Sequence, residues 1–403
     1  MRLLRTHLTN AAHAGAPSTT RTRRTSRRGL LGIAIIIAVA AVVTSYVSFI
    51  GSDGEANASA ELAALREQAS PLLIYSEFGQ LADTIWAADP NDPTDRAYVT
   101  TVEHSPGSGI SASVSPDGAH LAYVVLPPGA GWFDSAQLWA LEIESGAATL
   151  LAEHVGLRTT PVWTPAGDAV VVLRPAAGDS VQLLLVDLAG ETTLLAEGQA
   201  GLYPIGVTPD GAWLYFASLS ERGTDLQRVA ISGGSPQVLA HLSDGYSRDW
   251  HLAPDGSGVA YLGQTSSSSI SFDARVYDVA SGAVQGAVAG LSGPQFNPIW
   301  DPAGGLTVGR APSGEAAGSL VHVSANGSPD AAVALEGPAA GFPAIGFYVP
   351  LWWSPDGAHL VVRSFEGSST ANPGPSYVIV MGPAGDRQQL SPLSDVLVIG
   401  WLE

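Results

Sequence analysis

Thirty-seven carboxylates and nine histidines are the side chains with which this chain could act on a substrate or hold a metal. Cysteine is absent, and all 18 basic residues are arginines. That excludes a thiol nucleophile, a thiolate metal site, a disulfide framework and a Schiff-base or phosphate-cradling lysine. A serine hydrolase of the α/β type needs a Gly-x-Ser-x-Gly elbow, and none occurs. Helical zinc sites need two histidines four apart beside a glutamate, and no His-x-x-x-His pair occurs. Paired carboxylates of the glycosidase kind depend on separation in space, so the acid count alone does not exclude them. The Asp-box pattern Ser-x-Asp-x-Gly-x-Thr-Trp is absent. The expectation is a protein with no catalytic residue, no metal, no cofactor and no enzymatic activity.

The charge is divided by position. Residues 1–28 carry seven arginines and no acid. From residue 51 onward there are 37 acids against 11 arginines, a net of −26. Such a body repels a phosphate backbone, so nucleic acid is not an expected partner. Between head and body lies Leu30–Ile50, 21 residues without a charge. At about 1.5 Å per residue it is long enough to cross a hydrocarbon core as a helix. The arginine-rich flank predicts a cytoplasmic N-terminus and a body outside. Residues 29–50 are therefore read as a transmembrane signal anchor in the cell membrane. The alternative is export with cleavage near Ala58, after the small-residue run Ala56-Asn57-Ala58. Residues 51–70 read as a polar linker with a short helical stretch around Ala60–Gln68.

The body, residues 71–403, is a repeat array. Six elements recur: Ser115-Pro116-Asp117-Gly118, Thr164-Pro165-Ala166-Gly167, Thr208-Pro209-Asp210-Gly211, Ala253-Pro254-Asp255-Gly256, Asp301-Pro302-Ala303-Gly304 and Ser354-Pro355-Asp356-Gly357. Their prolines stand 49, 44, 45, 48 and 53 residues apart. Proline presets φ, aspartate caps backbone amides and glycine accepts positive φ, so each is a tight turn between strands. A tryptophan precedes several turns (Trp163, Trp300, Trp353), and an apolar strand such as His120–Val125 follows each. Four short strands per unit make the blade of a β-propeller. Residues 71–102 supply later strands of a seventh blade without a turn, and Asp395–Trp401 supplies the missing innermost strand. The expected fold is an all-β, seven-bladed propeller; six blades plus a stray hairpin is the alternative. His120 and His359 occupy the same repeat position, which predicts a structural role for both. Two of the six turns carry Ala in place of Asp, so the turn aspartates are not expected to share a metal.

The Ser-Pro-Asp-Gly turn, the tryptophan before it and the apolar strand after it resemble the WD-like repeats of TolB-type propellers. They also resemble the propeller domains of prolyl-oligopeptidase and dipeptidyl-peptidase enzymes, here without the hydrolase elbow. The resemblance implies an extracytoplasmic propeller. TolB itself carries an α/β domain ahead of its propeller, where this chain has only residues 51–70.

Propellers bind partners with the loops between second and third strands and with the connections between blades. Here those loops include Pro127–Ala136, Gly263–Asp273, Gly337–Tyr348 and Phe365–Ser376. Trp132 and Phe133 sit among Gly and Pro and are read as an aromatic anchor. Arg158, Arg222 and Arg248 fall in the same set of loops, where scarce cations suit a carboxylate or phosphate. The expected role is a non-catalytic protein-interaction scaffold with an envelope protein as partner. The alternatives are a small-molecule or glycan sensor and a hydrolase with an unrecognised carboxylate site.

Overall fold

The computed structural model describes residues 59–403, apart from 132–133, 158, 200, 266–270, 289–292, 312–317, 325–332, 336–345 and 384. These residues belong to one unit, residues 55–403. The segment 29–50 and the cleavage site near Ala58 lie outside the described residues. Among the described residues, no helix is long and apolar enough to cross a membrane.

Seven four-stranded antiparallel sheets form the propeller. The six-bladed alternative is thereby set aside. The innermost strands are Val396–Leu402 in blade 1, Ile110–Val114 in blade 2, Val162–Trp163 in blade 3 and Leu202–Val207 in blade 4. Those of blades 5, 6 and 7 are Ser247–Leu252, Gln295–Trp300 and Phe347–Trp353. Blade 1 is made from both ends of the unit. Its innermost strand pairs antiparallel with Leu72–Glu77, from Leu72↔Leu402 to Glu77↔Val396. This is the closure expected from the apolar segment near Trp401, and it removes a free sheet edge.

Period-two alternation explains why the sheets stand face to face. Leu72 and Ile74 point into a core shared with blade 2, while Leu73 and Tyr75 point into a core shared with blade 7. Seven such clusters occur, one between each pair of neighbouring blades. Both faces of most second strands are therefore apolar, as in Leu121–Val125 and Val170–Val172. The helix over 59–68 adds Leu62 and Leu65 to the core of blades 1 and 2. The end of the stretch read as linker is thus part of the propeller, because its two leucines recur at helical spacing on one face.

The recurring turns are built as their residue types require. Asp117 Oδ1 accepts from the Ser115 hydroxyl at 2.5 Å and the Ala119 amide at 3.0 Å, while Gly118 takes φ 67°. Thr208 with Asp210 and Ser354 with Asp356 repeat the bonds. At the Ala253 turn, Asp255 accepts from the Ser257 amide. The Thr208 hydroxyl and the Ala212 amide hold the Asp210 carboxyl below the usual carboxylate range. Gly118, Gly167, Gly211, Gly256, Gly304 and Gly357 all have positive φ. The two turns with Ala keep an acid by moving it. Asp168, after the glycine, accepts from Thr164 Oγ1 at 2.6 Å, and Asp301, before the proline, accepts from the Gly305 amide at 2.8 Å.

Turns also nest on one another around the ring. A Cβ at Gly256 would lie 3.0 Å from Pro209 of the preceding blade, and one at Gly167 would lie 3.1 Å from the Asp117 carboxylate. The tryptophans lock blades in the same direction. Trp163 Nε1 donates to the Ser113 carbonyl, Trp300 Nε1 to the His251 carbonyl and Trp353 Nε1 to Thr307 Oγ1. His120 packs on Trp163, and His359 on Trp401, each across a blade boundary. Trp163→Ala removes one such lock from a buried site, and a loss of about 3–5 kcal/mol is expected. Denaturant unfolding of the full-length protein checks it.

Candidate functional site

The strand order divides the propeller into two faces. One carries the Pro-Gly turns, and the other carries the second-to-third-strand loops and the connections between blades. The candidate site lies on this loop face, over blade 1. A cavity of about 470 Å³ is lined there by Ser76, Phe78, Asp83, Ser108, Gly109, Ile110, Arg363, Asp395, Val396 and Leu397. Strand closure positions most of them, because it sets Val396 opposite Glu77. The start of the inner strand of blade 2 supplies Ile110, and the second strand of blade 7 supplies Arg363.

The polar floor is internally bonded. Asp83 is buried, and its Oδ1 accepts from the Gly79 amide at 3.1 Å and faces His104 Nε2 at 3.1 Å. Its Oδ2 accepts from the Ile110 amide at 2.9 Å. His104 Nδ1 faces the Ser105 carbonyl at 2.8 Å, and the ring stacks on Phe78. Arg363 Nη1 donates to the Ser394 carbonyl at 3.1 Å and Nη2 to the Val396 carbonyl at 2.7 Å. Burial pushes the Arg363 guanidinium below its ordinary value, against the attraction of Asp395. Leu81, Leu393 and Leu397 leave exposed apolar surface on the same face.

Beside the cavity runs a charged seam between blades 1 and 7. Glu77 Oε1 accepts from Arg96 Nη1 at 2.7 Å and from Ser391 Oγ at 2.6 Å, and Oε2 accepts from Trp86 Nε1 at 3.1 Å. The Arg96 guanidinium lies over the Trp86 ring, 4.1 Å from its centroid. Burial pushes the Glu77 carboxyl up, but these donors outweigh it and hold the group below its ordinary value.

Other constellations that look chemical are structural. Thr307 Oγ1 lies 3.0 Å from His322 Nδ1, and His322 Nε2 lies 3.4 Å from Asp301 Oδ2. The order imitates a hydroxyl–imidazole–carboxylate relay. Thr307 is fully buried, however, and Trp353 Nε1 occupies its oxygen. Among the described residues, no group of three or more His, Asp or Glu is placed to hold a metal.

Of the binding residues singled out from sequence, Arg222 and Arg248 are described. Trp132, Phe133 and Arg158 lie outside the described residues. The root of the Trp132 loop is tied down next to the cavity, where Ser105 Oγ donates to the Ala130 carbonyl at 2.6 Å. Arg222 sits exposed in a short turn of blade 4, where its amide donates to Ser220 Oγ. Arg248 is not in a loop. It lies in the innermost strand of blade 5, because that strand starts at Ser247, whose amide donates to Thr224 Oγ1. Its guanidinium covers the Phe272 ring at 4.7 Å and pairs with Asp249 at 3.8 Å. Arg222 and Arg248 thus stand on neighbouring blades without a contact between them among the described residues. Reading the sequence missed Asp83, His104 and Arg363, which come together only when the ring closes.

Fold and site together define a closed seven-bladed propeller with a cavity on its loop face. The TolB beta propeller domain family matches residues 91–349, and the chain belongs to that family. An uncharacterized protein of Agrobacterium fabrum is 26% identical over 212 residues, covering 51% of this chain and 64% of that protein. TolB from Acinetobacter baumannii is 19% identical, with 64% of this chain and 62% of that chain covered and a TM-score of 0.45. The chain thus spans just under two thirds of the length of these two proteins. Prolyl oligopeptidase B from Galerina marginata is 12% identical over 89% of this chain and 55% of its own, with a TM-score of 0.53. At such identity the likeness is one of fold.

Glu77 yields a prediction with a defined sign. Its folded pKa is depressed, so the unfolded state takes up the proton first as pH falls. The stability it confers is full above its ordinary value of 4.5 and is lost as pH falls through the folded value. Glu77→Gln is expected to cost about 1–3 kcal/mol at neutral pH. It also shrinks the fall in unfolding midpoint between neutral and acid pH, read by thermal denaturation across that range.

Proposed function

We propose that this chain is a membrane-anchored, extracytoplasmic member of the TolB propeller family that serves as a non-catalytic protein-interaction scaffold. The uncharged run Leu30–Ile50 behind an arginine-rich head supports the anchor and its orientation. One observation carries the scaffold reading: the chain enters the propeller on the turn face. The helix over 59–68 is held there, with Ser59 Oγ donating to the Glu144 carbonyl and Arg66 Nη2 to the Glu403 carbonyl, each at 2.7 Å. Among the described residues, the contacts that hold this helix lie on the turn face and not on the loop face.

That face also carries the exposed apolar side chains suited to a partner. Leu81 and Tyr246 are 64% and 66% exposed, in a second-to-third-strand loop and an interblade connection respectively. Large exposed apolar side chains within a polar rim mark contact surfaces. The chemistry of the described residues favours binding over turnover, since the hydroxyl–histidine–carboxylate row is buried and Asp83 is fully bonded within the protein.

Cross-linking and pull-down of the tagged full-length protein from detergent-solubilised membranes tests the proposal. Carboxylate-reactive reagents suit a chain that lacks lysine. A stoichiometric envelope protein is expected among the captured species. Leu81→Asp with Tyr246→Asp, and separately Trp132→Ala with Phe133→Ala, are expected to lower its recovery about tenfold, as loss of interface anchors does. A folded, membrane-bound protein that captures nothing overturns the scaffold reading.

A further inference from the structure

The cavity over blade 1 combines two features that the scaffold reading does not use. Its lining includes the apolar residues Phe78, Ile110, Val396 and Leu397 together with Arg363. Arginine carries five N–H groups in a fixed fork. Arg363 spends two of them on the carbonyls of Ser394 and Val396, and no ion pair among the described residues includes it. Asp395 attracts that guanidinium without pairing with it. Elsewhere Arg96 holds Glu77 and Arg248 holds Asp249.

The acids of the lining are not free to take that role. Both oxygens of Asp83 are occupied by the Gly79 and Ile110 amides and by His104. Asp395 is exposed to water, and it is the Asp395 carbonyl that bonds inward, to the Phe78 amide at 3.0 Å. A cationic ligand finds no unbonded carboxylate in the interior. A sugar needs many convergent donors and acceptors, and the lining is mainly apolar. A phosphate dianion brings more charge than one guanidinium offsets, close to Asp395.

We propose that the cavity binds a small organic acid, with its single carboxylate on Arg363 and its apolar body against Phe78, Ile110, Val396 and Leu397. Guanidinium and carboxylate match in geometry, and the bond gains strength as the body displaces water. The site is distinct from the exposed partner-binding side chains and does not rest on the scaffold reading.

Calorimetric titration of the full-length protein with hexanoate and phenylacetate tests this, with hexanamide and phenylacetamide as neutral counterparts of equal size. The acids are expected to bind with a dissociation constant of about 1 mM or tighter. The amides are expected to bind about ten- to hundredfold more weakly, the worth of a charge-assisted hydrogen bond. Arg363→Gln is expected to erase that preference. Because Arg363 also holds two carbonyls, Leu397→Asp provides a second variant. It sets a negative charge on an exposed wall residue without touching those bonds, and it is expected to abolish acid binding at an unchanged unfolding midpoint. The proposal is overturned if neither acid binds, if the amides bind as well as the acids, or if acid binding survives both substitutions.

Discussion

The antiparallel pairing of Leu72–Glu77 with Val396–Leu402 is the interaction on which the rest of the molecule depends. Without it blade 1 has no innermost strand. Blade 7 then loses the Val396, Val398 and Trp401 side of its core, and blade 2 loses Ile399 and Leu402. No blade has a solvated face to fall back on, since alternating side chains serve two neighbours at once. At several blade boundaries the tryptophans before the turns and the nested turn glycines add further links between neighbours. Stability here is shared between interfaces rather than stored in one central core.

The closure also makes the site. The cavity draws on residues 76, 78, 83, 108–110, 363 and 395–397, which belong to three blades. Asp83 and His104 bond each other beneath it, and the Glu77–Arg96 pair fastens its flank. The part of the ring that is joined last is thus also the part with the most polar bonding between elements distant in sequence. The helix over 59–68 is held on the opposite face.

How much of this could be read in the sequence follows from the range of each interaction. The turns were legible because Ser115, Asp117 and Gly118 act within a few residues of one another. The second strands were legible because burial on both faces makes them uniformly apolar, and His120–Val125 spans the same residues in the structure. Blade number followed from the turn spacing together with the segment around Trp401. The capping roles of Asp168 and of Asp301, which stands in its own motif, were hidden because a fixed register looks for the aspartate only after the proline. Arg248 was misplaced because its strand begins two residues after a glycine and continues through the charged residues Arg248 and Asp249, with little apolar alternation. The cavity had no local signature at all: Asp83 and Arg363 are 280 residues apart in the chain. The one available hint was the scarcity of cations in an acidic body, which gives each arginine added weight.

The closing pair has a consequence for how the protein is made. Leu72 and Leu402 are 330 residues apart, so the first of the described strands waits for the last of them. Until then it presents an apolar, unpaired edge, the kind of surface that pairs wrongly with other chains. Closing a loop of that length carries an entropic cost that grows only slowly with size. What is long is the delay rather than the barrier. During synthesis from the N-terminal end, the six remaining blades can assemble in order while the ring stays open at one seam. The helix over 59–68, whose Leu62 and Leu65 lie in the core of blades 1 and 2, is present from the beginning of that interval.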